Sequence, residues 1–252
     1  MKSIIPNSLT LANLFCGCMA LLCIFNGNIA LVPLFWLIAL VADYLDGFVA
    51  RLLKVNSDLG KELDSLADMV SFGVVPGALI FHLLNQSWGI EKVDFNNFST
   101  LWGTLGFVIT LFSCLRLAKF NLDDRQADTF IGLNTPSCTT LILGLTLIAE
   151  QNLYQMADYI QQAAFLLPLT AVLSYLLISE VPMFSFKFKN IKWRDNRFRI
   201  SFIIFVLCLI FVLPVGVSLT VIILSYIGFS LILWALGYMK KPERRASWSS
   251  NN

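Results

Sequence analysis

The chain has 252 residues, of which 57% are hydrophobic and only 13% charged, with a net charge of +2. A soluble domain of this size has no use for so much apolar surface. Apolar runs of about 20 residues, the length that crosses a hydrocarbon layer as helix, recur from end to end, so the expected fold class is all-α: a polytopic membrane helix bundle forming one integral membrane domain over 1–252.

About eight transmembrane helices are expected, at 8–25, 29–52, 63–84, 101–120, 136–150, 160–179, 200–213 and 217–239. The first carries Asn7, Thr10 and Asn13 on its early turns and lacks a small-residue cleavage site, which predicts a retained helix and not a removed signal peptide. Asn26, Gly27 and Asn28 tolerate left-handed backbone and predict a tight turn that folds the first two helices into an antiparallel hairpin. Gly73, Pro76 and Gly77 interrupt the third span and predict a kink there. Pro136 fits the first turn of the fifth span, where a missing amide hydrogen is no loss. Core helices are expected over 1–180, a basic loop over 181–199, two additional helices over 200–239 and a basic tail over 240–252. In the loop, Phe184, Phe186 and Phe188 alternate with Ser185, Lys187 and Lys189, consistent with either a short strand or an interfacial segment.

Lys and Arg accumulate in cytoplasmic loops. If the spans alternate from an inside amino terminus, Lys92 alone of the 18 Lys and Arg falls outside. Both termini, and the loop carrying Arg51, Lys54 and Lys61, are therefore expected on the cytoplasmic side. Lys187, Lys189, Lys192, Arg194, Arg197 and Arg199, with Lys240, Lys241, Arg244 and Arg245 of the tail, would face anionic headgroups. No second soluble domain accompanies them to support a nucleic-acid role, and no nucleic-acid partner is expected. The six cysteines, Cys16, Cys18, Cys23, Cys114, Cys138 and Cys208, all fall within expected spans without metal-site spacing and read as packing residues.

Four aspartates break the apolar pattern near the ends of two spans: Asp43, Asp46, Asp64 and Asp68. An aspartate at the centre of a spanning helix costs about 2.5–3.5 kcal/mol on insertion scales, and four together also repel. Asp43, Asp46, Gly47 and Ala50 recur at helical spacing on one stripe, and Gly60, Asp64 and Asp68 repeat the pattern on the next helix. Two helices can thus aim two carboxylates each at one point. Two divalent cations would balance the charge. All-oxygen coordination suits Mg²⁺ or Mn²⁺, and a pair of such ions is a recurring clamp for phosphoryl chemistry. Arg51 could meet part of a pyrophosphate charge. His82, the sole histidine, lies toward the other end of its span, so the general base is expected to be an aspartate, with Asp68, the deepest, as the choice. A divalent-ion transporter is the rival from another functional class, although an ion pathway has no evident need for Gly47, Ala50, Arg51 and Gly60 in the same short stretch.

The pattern D-x2-D-G-x2-A-R-x8-G-x3-D-x3-D, filled by Asp43, Asp46, Gly47, Ala50, Arg51, Gly60, Asp64 and Asp68, resembles the signature of the CDP-alcohol phosphotransferase family at every fixed position. Pro6 to Thr10 with Asn13 and Gly17, DSLADMVSFGVVP from Asp64, RLAKFN from Arg116, FIGLNTP from Phe130 and SEVPMFSFKFK from Ser179 are similar to its serine-using branch. The resemblance implies a six-helix core, often homodimeric, with two further C-terminal helices in this chain. It implies transfer of a phosphatidyl group from CDP-diacylglycerol to the hydroxyl of L-serine, giving phosphatidylserine and CMP in phospholipid biosynthesis at a prokaryotic inner or cytoplasmic membrane. By the same resemblance, Asp43, Asp46 and Asp64 would hold one cation and Asp43, Asp64 and Asp68 the other. Asn7, Thr10, Gly47, Ala50, Arg51 and Gly60 would lie along the CDP moiety, and Asp68 would deprotonate serine. Arg116 is expected to meet the serine carboxylate, with Asn121 as a nearby polar contact. Sibling enzymes using glycerol 3-phosphate or inositol phosphate are the alternative; those acceptors call for several cations, and Arg116, Lys119 and Arg125 are the evident candidates here.

Overall fold

The computed structural model describes residues 3–55, 57–90, 98–123, 130–184 and 193–237, with backbone alone at 98–100, 130 and 193–199. Lys92, Arg125, the basic residues of the loop at 185–192 and those of the tail lie outside the described residues, as do the side chains of Arg194, Arg197 and Arg199.

The described residues are almost wholly helical, which agrees with the all-α expectation. Five helical segments are long and apolar enough to cross a membrane: Ile4–Phe25, Ile29–Leu52, Asp58–Ser87, Leu101–Leu122 and Val215–Ala235. Shorter apolar helices at Thr135–Glu150, Ala163–Ile178 and Ile200–Val212 fall on the remaining expected spans. The chain is an integral membrane protein.

Helix α1 (Ile4–Phe25) turns back through Gly27, whose φ of +73° is the left-handed conformation foreseen for the Asn-Gly-Asn turn. A short 3₁₀ turn leads into α2 (Val32–Leu52), which runs against α1. The core-facing stripe of α2, Val32, Trp36, Ala39 and Ala42, continues at helical spacing into Asp46, so the burial pattern itself carries a carboxylate inward. Ser57 caps α3 (Asp58–Asp68), its hydroxyl accepting the Gly60 amide hydrogen at 3.3 Å.

The interruption expected at Gly73 and Pro76 is a π-helical stretch, Met69–Val74, between α3 and α4 (Val75–Ser87). Widening the helix disturbs its own hydrogen-bond ladder, and neighbours take up the slack: Thr139 donates to the Phe72 carbonyl at 3.0 Å and Thr110 to the Gly73 carbonyl at 2.9 Å. Pro76 falls in the first turn of α4, where its ring is tolerated.

A short α5 (Phe98–Gly103) and a 3₁₀ turn precede α6 (Val108–Leu122). Asn134 caps α7 (Thr135–Glu150), accepting from the Ser137 amide at 2.8 Å, with Pro136 in the first turn as expected. Helix α7 is buried along nearly its whole length against α4 and α11, and Leu79, Ile80, Leu83, Leu141, Ile142 and Leu143 form the centre of the core. Beyond a one-turn α8 (Ala157–Ile160), α9 (Ala163–Ile178) packs on α6.

Two strands of two residues, β1 (Phe130–Ile131) and β2 (Pro182–Met183), pair antiparallel with Phe130 opposite Met183. A strand therefore lies just before the alternating phenylalanines, while Phe186 and Phe188 are outside the described residues. Gly132 follows at φ +74°, and a Cβ there would sit 2.8–3.1 Å from the carbonyl oxygens of Ser179, Leu177 and Leu176, so both conformation and space require glycine. Helices α10 (Trp193–Val212) and α11 (Val215–Ala235) complete the bundle, α11 approaching α7 where Gly144 and Gly216 face each other's backbones.

Candidate active site

Helix α1 supplies a polar ladder for the acidic helices. Its residues Asn7, Thr10, Asn13 and Gly17 recur every three or four positions and therefore share a face. The first three rungs meet residues of the acidic stretch, and the fourth meets Ser71 just beyond it. The Asn7 Oδ1 atom lies 3.4 Å from where a Gly60 Cβ would stand, Thr10 donates to Asp46 Oδ2 at 2.5 Å, and Asn13 Nδ2 donates to Asp68 Oδ1 at 3.1 Å. At Gly17 a Cβ would lie 2.3 Å from Ser71 Oγ, which itself donates to the Asn13 carbonyl at 3.0 Å.

Alongside this ladder Asp43, Asp64 and Asp68 converge, with oxygens from all three within 4.8 Å of one another. Asp46 is buried one turn along α2 under Thr10 and is not part of that trio. None of the four is paired with a Lys or Arg among the described residues. Asp64 Oδ1 and Asn13 Oδ1 are buried without a hydrogen-bond partner. Three converging carboxylates, orphaned oxygens and a purely oxygen donor set fit hard divalent cations, whose charge such a cluster lacks. His82 does not approach them: its Nε2 pairs with Glu150 Oε1 at 2.8 Å, in a network with Gln86 and Gln161.

Beside the trio opens a cleft of about 130 Å³ lined by Asn7, Thr10, Asp46, Gly47, Ala50, Gly60 and Asp64, together with Pro6, Val55, Ser57 and Lys61. Five of the six residues expected along CDP thus share one wall; Arg51 does not line it, and its guanidinium lies over Gly47, with Nη1 3.3 Å from where a Cβ would be. Gly47, Ala50 and Gly60 keep the cleft open because each has little or no side chain.

The residues expected for serine are separated. Asn121 donates to Ser65 Oγ at 2.8 Å and so touches the acidic helix. Arg116, five positions earlier and on another face of α6, is buried; its Nε donates to the Leu133 carbonyl.

Sequence reading did not place Asn13, Ser57, Lys61 or Ser65 in the site. Asn13 was accessible from the three-and-four spacing of Asn7, Thr10 and Gly17, and Ser57 from its position as a cap three residues before Gly60. No spacing signal marks Ser65 as the partner of Asn121, because that contact joins residues 56 positions apart.

A family model described as CDP-alcohol phosphatidyltransferase matches residues 3–176. The chain is similar to the CDP-diacylglycerol--serine O-phosphatidyltransferase of Helicobacter pylori, 30% identical over 233 residues that cover 91% of this chain and 90% of the relative. It is also similar to the Bacillus subtilis protein of that name, 30% identical over 183 residues, 73% of this chain and 91% of the relative. The archaetidylserine synthase of Methanothermobacter thermautotrophicus is 33% identical over 141 residues, 55% of either chain. The match over 3–176 contains the whole acidic stretch and the ladder that holds it, so the chain belongs to the CDP-alcohol phosphatidyltransferase family and is a phosphatidyltransferase enzyme.

Proposed function

We propose that this enzyme transfers the phosphatidyl group of CDP-diacylglycerol to the hydroxyl of L-serine, releasing CMP, at the cytoplasmic face of a prokaryotic inner membrane. The observation that carries the reading is the position of Asp64, which belongs both to the carboxylate trio and to the wall of the open cleft. A nucleotide in the cleft has its pyrophosphate beside the trio.

Asp43, Asp46, Asp64 and Asp68 would hold two divalent cations, Mg²⁺ or Mn²⁺, which when bound supply positive charge for the pyrophosphate and the departing CMP. The remaining work falls to the chain's own groups. Thr10 holds Asp46 by its hydroxyl, and Asn13 holds one oxygen of Asp68, leaving the other to accept a proton. The serine oxygen attacks the phosphorus that bears the diacylglycerol, its proton passes to Asp68, and the bond to the CMP oxygen breaks. Direct displacement needs no enzyme nucleophile. Lys61 contributes a cation to the cleft where the pyrophosphate lies. Arg116 meets the serine carboxylate, a reading supported by its burial with no carboxylate paired to it among the described residues, while Asn121, turned to Ser65 on the acidic helix, stands apart from it. A homodimer, implied by the family resemblance, is part of the proposal and is checked by the mass of the purified protein in nanodiscs.

The test is an acceptor panel. Purified full-length protein is incubated with CDP-diacylglycerol, Mn²⁺ and either serine, glycerol 3-phosphate or inositol phosphate, and CMP is measured. Release with serine alone is expected. Release with a phosphorylated acceptor in place of serine would overturn the acceptor assignment.

A further inference from the structure

A second cavity, of about 400 Å³, is lined by residues of α10 and α11, by the first turns of α7 and by Leu40 of α2. Its wall includes Phe184, Phe202, Val206, Ile222, Ile223 and Tyr226, all beyond residue 176, where the family match ends. Three of the polar side chains in the wall are engaged with backbone. Asn134 Oδ1 accepts from the Ser137 amide, Thr140 donates to the Pro136 carbonyl at 2.6 Å, and the Tyr226 hydroxyl donates to the Phe184 carbonyl at 3.0 Å. What they leave facing the space is largely hydrocarbon, so the occupant is apolar.

Leu40 joins this cavity to the site already described. It lines the cavity from α2, three residues before Asp43 of the carboxylate trio. Three residues of helix rise about 4.5 Å and place both side chains on neighbouring positions of one face. A hydrocarbon chain seated against Leu40 therefore ends about one helical turn from the carboxylates. A phosphatidyl donor has that shape: a phosphate for the acidic cluster, joined to chains that must lie among apolar helices.

We propose that this cavity seats one acyl chain of the CDP-diacylglycerol donor, so that α10 and α11, outside the shared family region, set acyl-chain preference. The proposal rests on the phosphatidyl-transfer reading above. Ile223→Trp places a large side chain in the space. The ratio of kcat/KM for dioleoyl to that for dioctanoyl CDP-diacylglycerol is expected to fall about ten-fold or more in this variant. An unchanged ratio, in a wild-type enzyme that releases CMP, would overturn the cavity assignment while leaving the reaction intact.

A binding measurement on the wild-type full chain does not depend on the variant's folding or on turnover. CDP-diacylglycerol with a photoreactive diazirine on one acyl chain is expected to label peptides of 200–235, and unlabelled CDP-diacylglycerol should displace it while phosphatidylglycerol of the same chains should not. Labelling confined to other helices, or equal displacement by phosphatidylglycerol, which marks a bulk-lipid seat, would overturn the proposal. If wild-type protein released no CMP with any acceptor, the reaction reading would fail and the photolabel would still decide the cavity.

Discussion

Asp68 and Asn13 make the chemistry local enough to test one atom at a time. Asp68→Asn keeps the shape of the side chain but removes its capacity to take a proton; turnover should fall on the order of 10²–10⁴-fold with the fold retained, measured as CMP release, and near-wild-type activity would eliminate Asp68 as the base. Asn13 is fully buried and holds one oxygen of Asp68. Asn13→Ala should lower kcat about ten-fold or more with a smaller effect on the KM for CDP-diacylglycerol, because in the proposed mechanism the misplaced group acts on the acceptor. Arg116→Lys replaces a forked donor by a point charge, so the KM for serine should rise more than that for the lipid; equal effects would remove Arg116 from the serine pocket. The aspartates were legible in the sequence because charge within an apolar run is a local signal and helical spacing states which residues share a face. The separation of Arg116 from Asn121 was not, because their directions are set by contacts with Leu133 and Ser65, made across the fold.

Helix α1 and the π-helical stretch behave as one device. Asp68 is the last residue of α3, the widened turn begins at Met69, and Ser71 within it bonds back to Asn13. Close approach at Gly17 is what allows this. Gly17→Ala would bring a methyl carbon within 2.3 Å of Ser71 Oγ and 3.0 Å of its Cα, so part of the backbone must shift. We expect a loss of about 1–3 kcal/mol in stability, seen as a lower thermal midpoint in detergent, together with reduced kcat because the shift reaches Asp68 one turn away. Gly73 and Pro76 announced an interruption in the third span, but its π-helical form could not be read from them. It depends on Thr110 and Thr139, on two other helices, offering hydroxyls to the carbonyls that the widened turn leaves.

The whole molecule is organised by burial around α4 and α7, with the acidic cluster and the His82–Glu150 network occupying opposite parts of the long Asp58–Ser87 segment. Apolar run length made the helices legible; which of them are central was not, since α7 is among the shorter ones yet the most completely enclosed. The distribution of Lys and Arg predicts that both termini face the cytoplasm. A fluorescent protein that matures only in the cytoplasm, fused after residue 252, should fluoresce in intact cells; a dark, full-length, membrane-inserted fusion would reverse the orientation and with it the face proposed for serine entry. Phosphatidyl transfer to serine is tested most directly by counting both products in one tube: with purified enzyme, CDP-diacylglycerol, Mn²⁺ and labelled serine, label should enter the lipid phase one for one with CMP released and stop when the metal is chelated. CMP released without label entering lipid, or no CMP under any acceptor, would contradict it.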